Sequence, residues 1–253
     1  MNRILNFSNR NIKEILRDPI VYVFCLVFPI VMLVLFQVVN FYVPKGLAVF
    51  NLNSLLPAII MFSYTFVMLI MTLIVSKDRQ TFFLKRLYSS PMKSCHFVLG
   101  YALVGFVIGV IQTIICVIAA FIISLITNVA FISFVQILLL IASQLPILAI
   151  NVFLGILFGT IFNDKSAPGI CSVVISLAGV LGGCWMPLET MGGFETFCRF
   201  LPFYPSVYIG RVVTNVNTFN SVAWLGVVPI VIYLVVSIVL SFVIFNYNMT
   251  NDK

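Results

Sequence analysis

Charge is scarce in this chain. Only 8% of its residues are Asp, Glu, Lys or Arg, and 62% are hydrophobic. A soluble domain carries about 25% charged and about 45–50% apolar residues. No charged residue falls between Asp18 and Lys45, between Lys45 and Lys77, or between Lys93 and Asp164. A Lys, Arg or Asp at the centre of a bilayer span costs about 2.5–3.5 kcal/mol, so charge-free runs of this length are what hydrocarbon selects. That excludes a soluble globule and sets the fold class as an all-α polytopic membrane protein.

Other absences narrow the chemistry. The single His, His96, sits at the edge of an apolar run, which leaves no Ser/His/Asp set and no HExxH. There is no GxxxxGK[ST] phosphate loop and no paired-carboxylate site. No ionisable residue lies near the middle of an apolar run, where proton and sodium carriers place their relays. The six Cys (25, 95, 116, 171, 184 and 198) show no CxxC spacing, so no metal site is expected, and most act as small hydrophobes. Cys184 and Cys198 share a segment read below as external, where an oxidising compartment permits pairing. The formal charge of +7 lies mostly in two short segments beside apolar runs and does not indicate nucleic acid. Anything this chain moves uphill must draw its energy from a partner.

What is present is a succession of spans. A span needs about 20 predominantly apolar residues, and six segments qualify: 20–43, 55–76, 97–126, 131–162, 167–187 and 222–245. The third and fourth share one charge-free stretch, broken near Thr127–Asn128. The first run is too long for a signal h-region, and no small-x-small cleavage site follows it, so no cleavable signal is expected. Lys and Arg are shared unequally between the connections, eleven on one side and three (Lys45, Arg199, Arg211) on the other. By the positive-inside rule both termini are cytoplasmic. Gly105/Gly109, Gly155/Gly159 and Gly179/Gly183 are small-xxx-small pairs that let helices approach, within one subunit or between two.

Two amphipathic pieces lie on the cytoplasmic side. In residues 1–18, Ile4, Leu5, Ile12, Ile15 and Leu16 share one arc. Arg3, Arg10, Lys13, Glu14 and Arg17 oppose them, and Phe7 is off the stripe. Such a helix suits the headgroup layer, its basic residues facing membrane lipid, and Asp18-Pro19 turns the chain into the first span. In residues 77–93, "KDRQTFFLKRLYSSPMK", a helix puts Gln80, Phe83, Leu84, Leu87 and Tyr88 on one face, with Asp78, Lys85 and Arg86 opposite. Phe82 lies among the charges. That fits a protein contact, aromatics and Arg being enriched at binding surfaces, and equally an aromatic dipping into lipid. Intramembrane polarity is limited to groups such as Gln112, Thr113, Gln144 and Asn151, which suit either a translocation path (Gln112, Asn151) or hydrogen bonds between helices.

With "RDP" closing the first amphipathic piece, "FPIVMLVLF" in the first span, "SKDRQTFFLKRLYSSPMKSCHFVLGY" after the second and "GGCWMPLETMGGFETFCRFLPFYPSVYIGR" after the fifth, the chain resembles permease subunits of the type-2 (type V) ATP-binding cassette exporters over nearly its whole length. Phe82 stands where many relatives have Gly. The resemblance implies that 77–93 holds a coupling helix docked on a separate ATPase, with Asp78, Arg79, Phe82, Phe83, Lys85 and Arg86 as contacts. It also implies that residues 1–18 form a connecting helix, with Arg10, Lys13 and Arg17 beside that junction. Residues 188–221 become a re-entrant outer hairpin, gated by Glu189, Glu195, Arg199, Phe203 and Tyr204; Glu195 and Arg199 are spaced for an i,i+4 pair.

The expectation is therefore the transmembrane domain, residues 1–253, of an ABC exporter. It has no catalytic site of its own, and ATP and Mg are bound by two ABC ATPase subunits that drive two permeases, identical or paralogous. An apolar, Phe-rich interior favours a hydrophobic or amphipathic cargo such as a drug, an antimicrobial peptide or a lipid. The alternatives are export of a lipid-linked polysaccharide and, from a different class, an ATP-independent channel or carrier. Low charge, abundant Phe and clustered Lys suggest a low-GC bacterium and hence a bacterial cell membrane.

Overall fold

The computed structural model describes residues 2–43, 48–80, 94–214, 216 and 221–251, whose regular elements are all helices, without strands. Helix α1 (Asn2–Ile15) precedes a bent first span, made of α2 (Pro19–Tyr22), a π-helical turn (Val23–Val27) and α3 (Phe28–Tyr42). Then come α4 (Leu52–Gln80), α5 (Ser94–Thr127), α6 (Phe134–Ile161), α7 (Ala167–Leu181), α8 (Gly193–Arg199), α9 (Phe203–Val213) and α10 (Ser221–Asn251). Five helices among the described residues are long and apolar enough to cross a bilayer: Val23–Tyr42, Leu52–Gln80, Ser94–Thr127, Phe134–Ile161 and Trp224–Asn248.

Local chemistry sets the breaks. Pro29 has no N–H for the Cys25 carbonyl, and its ring would crowd that oxygen. The chain widens just before it, Phe28 N–H bonding back to the Val23 carbonyl, a π-bulge that absorbs the conflict. Asn128 (φ 54°) leaves the right-handed helix at the break expected between the third and fourth runs. Ser133 caps α6, its side chain taking the Gln136 N–H while Gln136 reaches back to the Ser133 N–H, so this helix begins three residues later than the predicted 131.

Two boundaries differ more. The second helix does not stop at Ser76 but continues to Gln80, carrying Lys77, Asp78 and Arg79 as its last turn, because these charges find partners on neighbouring elements. The segment expected to cross at 167–187 is helical only over Ala167–Leu181, 15 residues, or about 22 Å. Gly182 and Gly183 (φ 67°) end it. Gly183 therefore serves a turn and not a helix–helix contact.

Helix α4 is the axis of the bundle: 83% of its apolar window is buried, against 17% for the first span and for α10. Lipid tails are as apolar as Leu, so spans associate by close packing and not by the hydrophobic effect. The glycines supply that packing inside this chain. A Cβ at Gly155 would sit 2.6 Å from the Met68 carbonyl oxygen, and one at Gly159 would sit 2.7 Å from that of Thr72. Thr72 Oγ1 donates to the Gly155 carbonyl across the seam at 3.1 Å. Gly105 and Gly109 of α5 receive Val152 and Leu148 of α6 in the same way. Overpacking a seam of this kind costs about 1–3 kcal/mol. Gly159→Leu, which forces a side chain onto α4 backbone, should lower the thermal unfolding midpoint in detergent, whereas Gly169→Leu, with nothing within 4 Å, should leave it unchanged.

Candidate functional site

Helix α1 shows three faces. Phe7, Ser8, Asn11 and Ile15 are buried, while Leu5 and Leu16 are 47% and 58% exposed. This corrects the stripe expected from the sequence: Phe7, placed off it, is the anchor. Its ring meets Tyr101 edge-on at 4.9 Å and Phe97 at 5.5 Å. Gly100 leaves room for it, since a Cβ there would lie 2.5 Å from the ring. Ser8 Oγ donates to the Gly100 carbonyl at 2.9 Å. A hydrophobic arc cannot distinguish the side that meets protein from the side left for lipid; the aromatic pair on α5 does.

Next to this anchor, five side chains join α1, α4 and α5. Lys77 Nζ lies 3.4 Å from Glu14 Oε1, and Arg10 Nη2 lies 3.1 Å from Glu14 Oε2 and 3.4 Å from Asp78 Oδ1. Tyr101 donates its phenol proton to Asp78 Oδ2 at 2.6 Å. Asp78 is 3% exposed, so in this arrangement it holds α1 and α5 from the interior and offers almost nothing to a docking partner. Arg79, one residue on, turns to the other side of α4 and donates to the Thr160 carbonyl and to Asn163 Oδ1. Asn248 of α10 donates to the same carbonyl at 3.0 Å. Neighbouring residues thus tie the end of α4 to α1, α5 and α6, and α10 joins through the carbonyl it shares with Arg79.

Lys13 and Arg17, with Arg10, Glu14, Asp18 and Lys77, line an open polar cleft of about 900 Å³ between α1 and α4. Phe82, Phe83, Lys85 and Arg86 lie outside the described residues. Glu14, Phe7, Gly100 and Tyr101 were missed as site residues in the sequence reading. "FVLGY" carried the only signal, an aromatic–Gly–aromatic spacing on one helix face.

The opposite end is built around α8 and α9. Glu195 Oε1 accepts from Arg199 Nη2 at 2.8 Å, Arg199 Nε at 3.3 Å and the Tyr204 phenol at 2.9 Å. The Glu195 carboxylate raises the pKa of Arg199 above its ordinary value. Burial, then Glu195, raises that of Tyr204, so the phenol stays a donor. Of the expected gate residues, Glu195, Arg199 and Tyr204 form one cluster. Phe203 is buried in the main core, and Glu189 is exposed on a short 3-10 turn (Leu188–Thr190).

A residue counted in the sequence only as an outer charge proves central. Arg211 is 3% exposed, and its guanidinium donates to the Ser54 carbonyl at 3.3 Å and the Gly183 carbonyl at 3.0 Å. Burial lowers its pKa. It clamps α9 to the start of α4 and to the turn after α7. Gln144 and Ser206 add a reciprocal pair, at 3.0 and 2.9 Å, between α6 and α9. Cys184 and Cys198 are free thiols, both buried, so no disulfide closes this end. Gln112 and Asn151 are fully buried. Gln112 donates to the Ser63 carbonyl and Asn151 to its own helix at Ile147. Gln112 Oε1 and Asn151 Oδ1 have no hydrogen-bond partner among the described residues.

Two outcomes follow from this geometry. Tyr101→Phe removes a hydrogen bond to a buried carboxylate and should cost about 1.5–3 kcal/mol. Arg10→Ala should cost less, because its side chain is 38% exposed and solvent screens the pair. Chemical unfolding in mixed micelles ranks the two. Arg211→Lys should destabilise nearly as much as Arg211→Gln, because a point-like ammonium cannot span two carbonyls as a planar fork does; limited proteolysis between α7 and α9 reads the loss.

A family model described as ABC-2 type transporter matches residues 3–215. No curated protein matches the chain.

Proposed function

Because this chain belongs to the ABC-2 type transporter family, and is thus a membrane component paired with an ABC ATPase, we propose that it is the permease of an ATP-driven exporter of hydrophobic or amphipathic cargo. Two copies, or one and a paralogue, enclose the pathway, and two ATPase subunits supply the energy. Both termini face the cytoplasm. In that orientation α7, though short, completes six crossings with the turn that follows it, and a bilayer thins or tilts helices to meet a short span at modest cost. Residues 188–221, broken into the 3-10 turn, α8 and α9, dip in from the outer surface as a re-entrant cap.

One observation carries the coupling part of this reading. The last turn of α4, immediately before residues 81–93, is bonded on one side to α1 and α5 through Asp78, and on the other through Arg79 to the Thr160 carbonyl of α6, which also accepts from Asn248 of α10. A displacement of the segment that follows Gln80 is therefore delivered to most of the bundle at once. The cargo class rests on the apolar surfaces. The first span leaves Val23, Val27, Val31, Val34 and Val38 exposed, and behind them Phe24 and Phe36 stack on Phe66 and Trp185 while Phe28 meets Phe62 at a tilt. A pathway with such walls offers no fixed charge to a strongly ionic cargo.

Reconstitution with the ATPase partner tests this. Wild type should stimulate or restrain ATP hydrolysis in response to cargo, and Phe82→Ala/Arg86→Glu should still assemble yet lose that response by about tenfold or more. Failure of any ATPase to associate, or an unaltered response in the double variant, overturns the coupling role of residues 77–93.

A further inference from the structure

A groove of about 590 Å³ runs between α8, the start of α9 and the first half of α10. Phe200, Pro205, Leu225, Pro229 and Ile232 form its apolar walls, and Thr196 and Arg199 stand at one end. Its floor is closed where Gly226 meets Pro205, a Cβ there lying 2.9 Å from the proline ring. Leu225, Val228 and Ile232 are more than half exposed, so the groove opens onto the side of α10 that continues as a bare apolar surface. Between Leu225 and Tyr233 that helix advances about 12 Å, a depth that lies within one leaflet of a bilayer.

Two polar features single it out from an ordinary seam between helices. Arg199 is pinned at the rim: Nε and Nη2 are held by Glu195, itself fixed by Tyr204. Nη1 has no hydrogen bond among the described residues, and the side chain is 41% exposed. Pro229 has no N–H, so the Leu225 carbonyl lacks its donor within α10 and adds an acceptor to an otherwise apolar wall. A pre-oriented guanidinium edge above a hydrocarbon-lined slot matches a phosphate ester carrying an acyl chain, since phosphate and guanidinium form strong charge-assisted bonds.

We infer that this groove is a binding site for one glycerophospholipid of the leaflet on the α8–α9 side, its phosphate on Arg199 Nη1 and one acyl chain along α10 between Leu225 and Ile232. Glu195 sets the orientation of Arg199 and keeps the rim near neutral, so zwitterionic and anionic headgroups both qualify. The site rests on the membrane reading and not on ATP coupling.

Native mass spectrometry of the full-length chain tests it, with the chain purified in mild detergent, any associated subunit retained, and titrated with palmitoyl-oleoyl phosphatidylglycerol through graded delipidation. Wild type should keep one phospholipid per permease after bulk lipid is removed. Arg199→Gln should weaken retention about tenfold or more. Ile232→Trp, which fills the slot and leaves the Arg199–Glu195–Tyr204 cluster intact, should weaken it similarly at an unchanged unfolding midpoint. If wild type releases its last lipid together with the bulk, if both variants retain it as wild type does, or if the retained amphiphile carries no phosphate, the assignment is wrong. Retention needs no nucleotide, so its loss and a loss of coupled ATP hydrolysis are separate outcomes.

Discussion

The contact on which the rest of the molecule depends is the seam where α6 lays Gly155 and Gly159 on the backbone of α4. Hydrocarbon gives two apolar helices no reason to prefer each other over lipid; they stay together only where backbones come close enough for many dispersion contacts and for hydrogen bonds such as Thr72 to Gly155. Once α4 is held this way it is a buried rod of 29 residues, about 43 Å long. Each end carries the groups that fix everything else: Asp78 and Arg79 at one, Ser54 and Pro57 at the other. Gly210 of α9 lies so near Pro57 that a Cβ would fall 2.4 Å from its ring. Helix α9 is thus stacked on the same rod that the ion-pair hub grips.

The two ends solve the problem of buried charge differently. At the α1 end a carboxylate is taken out of water and given three things in return: a phenol proton, a guanidinium, and through Glu14 a link to a second cation. At the α9 end a guanidinium is buried directly against two carbonyl oxygens, and the Glu189 carboxylate favours its charged form from farther off. Removing one partner of a buried charge is strongly destabilising, whereas its net contribution against an apolar replacement is small. Both clusters therefore act chiefly as specifiers of geometry. Each allows one arrangement of three elements and penalises the others.

Much of this was legible in the sequence, and what was not has identifiable reasons. Charge-free length located the long helices, because the membrane cost of charge acts locally on each residue. The break at Asn128, the entry at Asp18-Pro19 and the Glu195–Arg199 pair were readable for the same reason, being decided within a turn or two. The end of α4 was not: Lys77, Asp78 and Arg79 read as the start of a separate coupling segment, since the partners that hold them as the last turn of α4, Tyr101, Arg10 and Thr160, are supplied from elsewhere in the chain. Phe7 was misplaced because two apolar flanks of one helix differ only in what they face. Arg211 entered the orientation count as one charge among fourteen, and no pattern in its neighbours marks two carbonyls 157 and 28 residues away.

Stiffness is unevenly distributed as a consequence, and that bears on how such a bundle moves. Helices α4, α5 and α6 meet through glycine contacts in which side chains or backbone fill the space of a missing Cβ, and close-packed seams deform in discrete steps or not at all. The first span is mostly exposed and holds to this block through ring contacts such as Phe24 on Phe66, whereas α10 lies along α6, where Phe242 meets Phe153 and Ser241 donates to the Phe153 carbonyl. Aromatic contacts are broad and tolerate sliding better than a backbone carbonyl facing a glycine does. A force applied at the α4 end of the hub would then carry α4, α5 and α6, with α10 along α6, as one body, and the first span would adjust along its ring contacts. Buried amides at Gln112 and Asn151, each with an oxygen that has no hydrogen-bond partner among the described residues, sit inside that body.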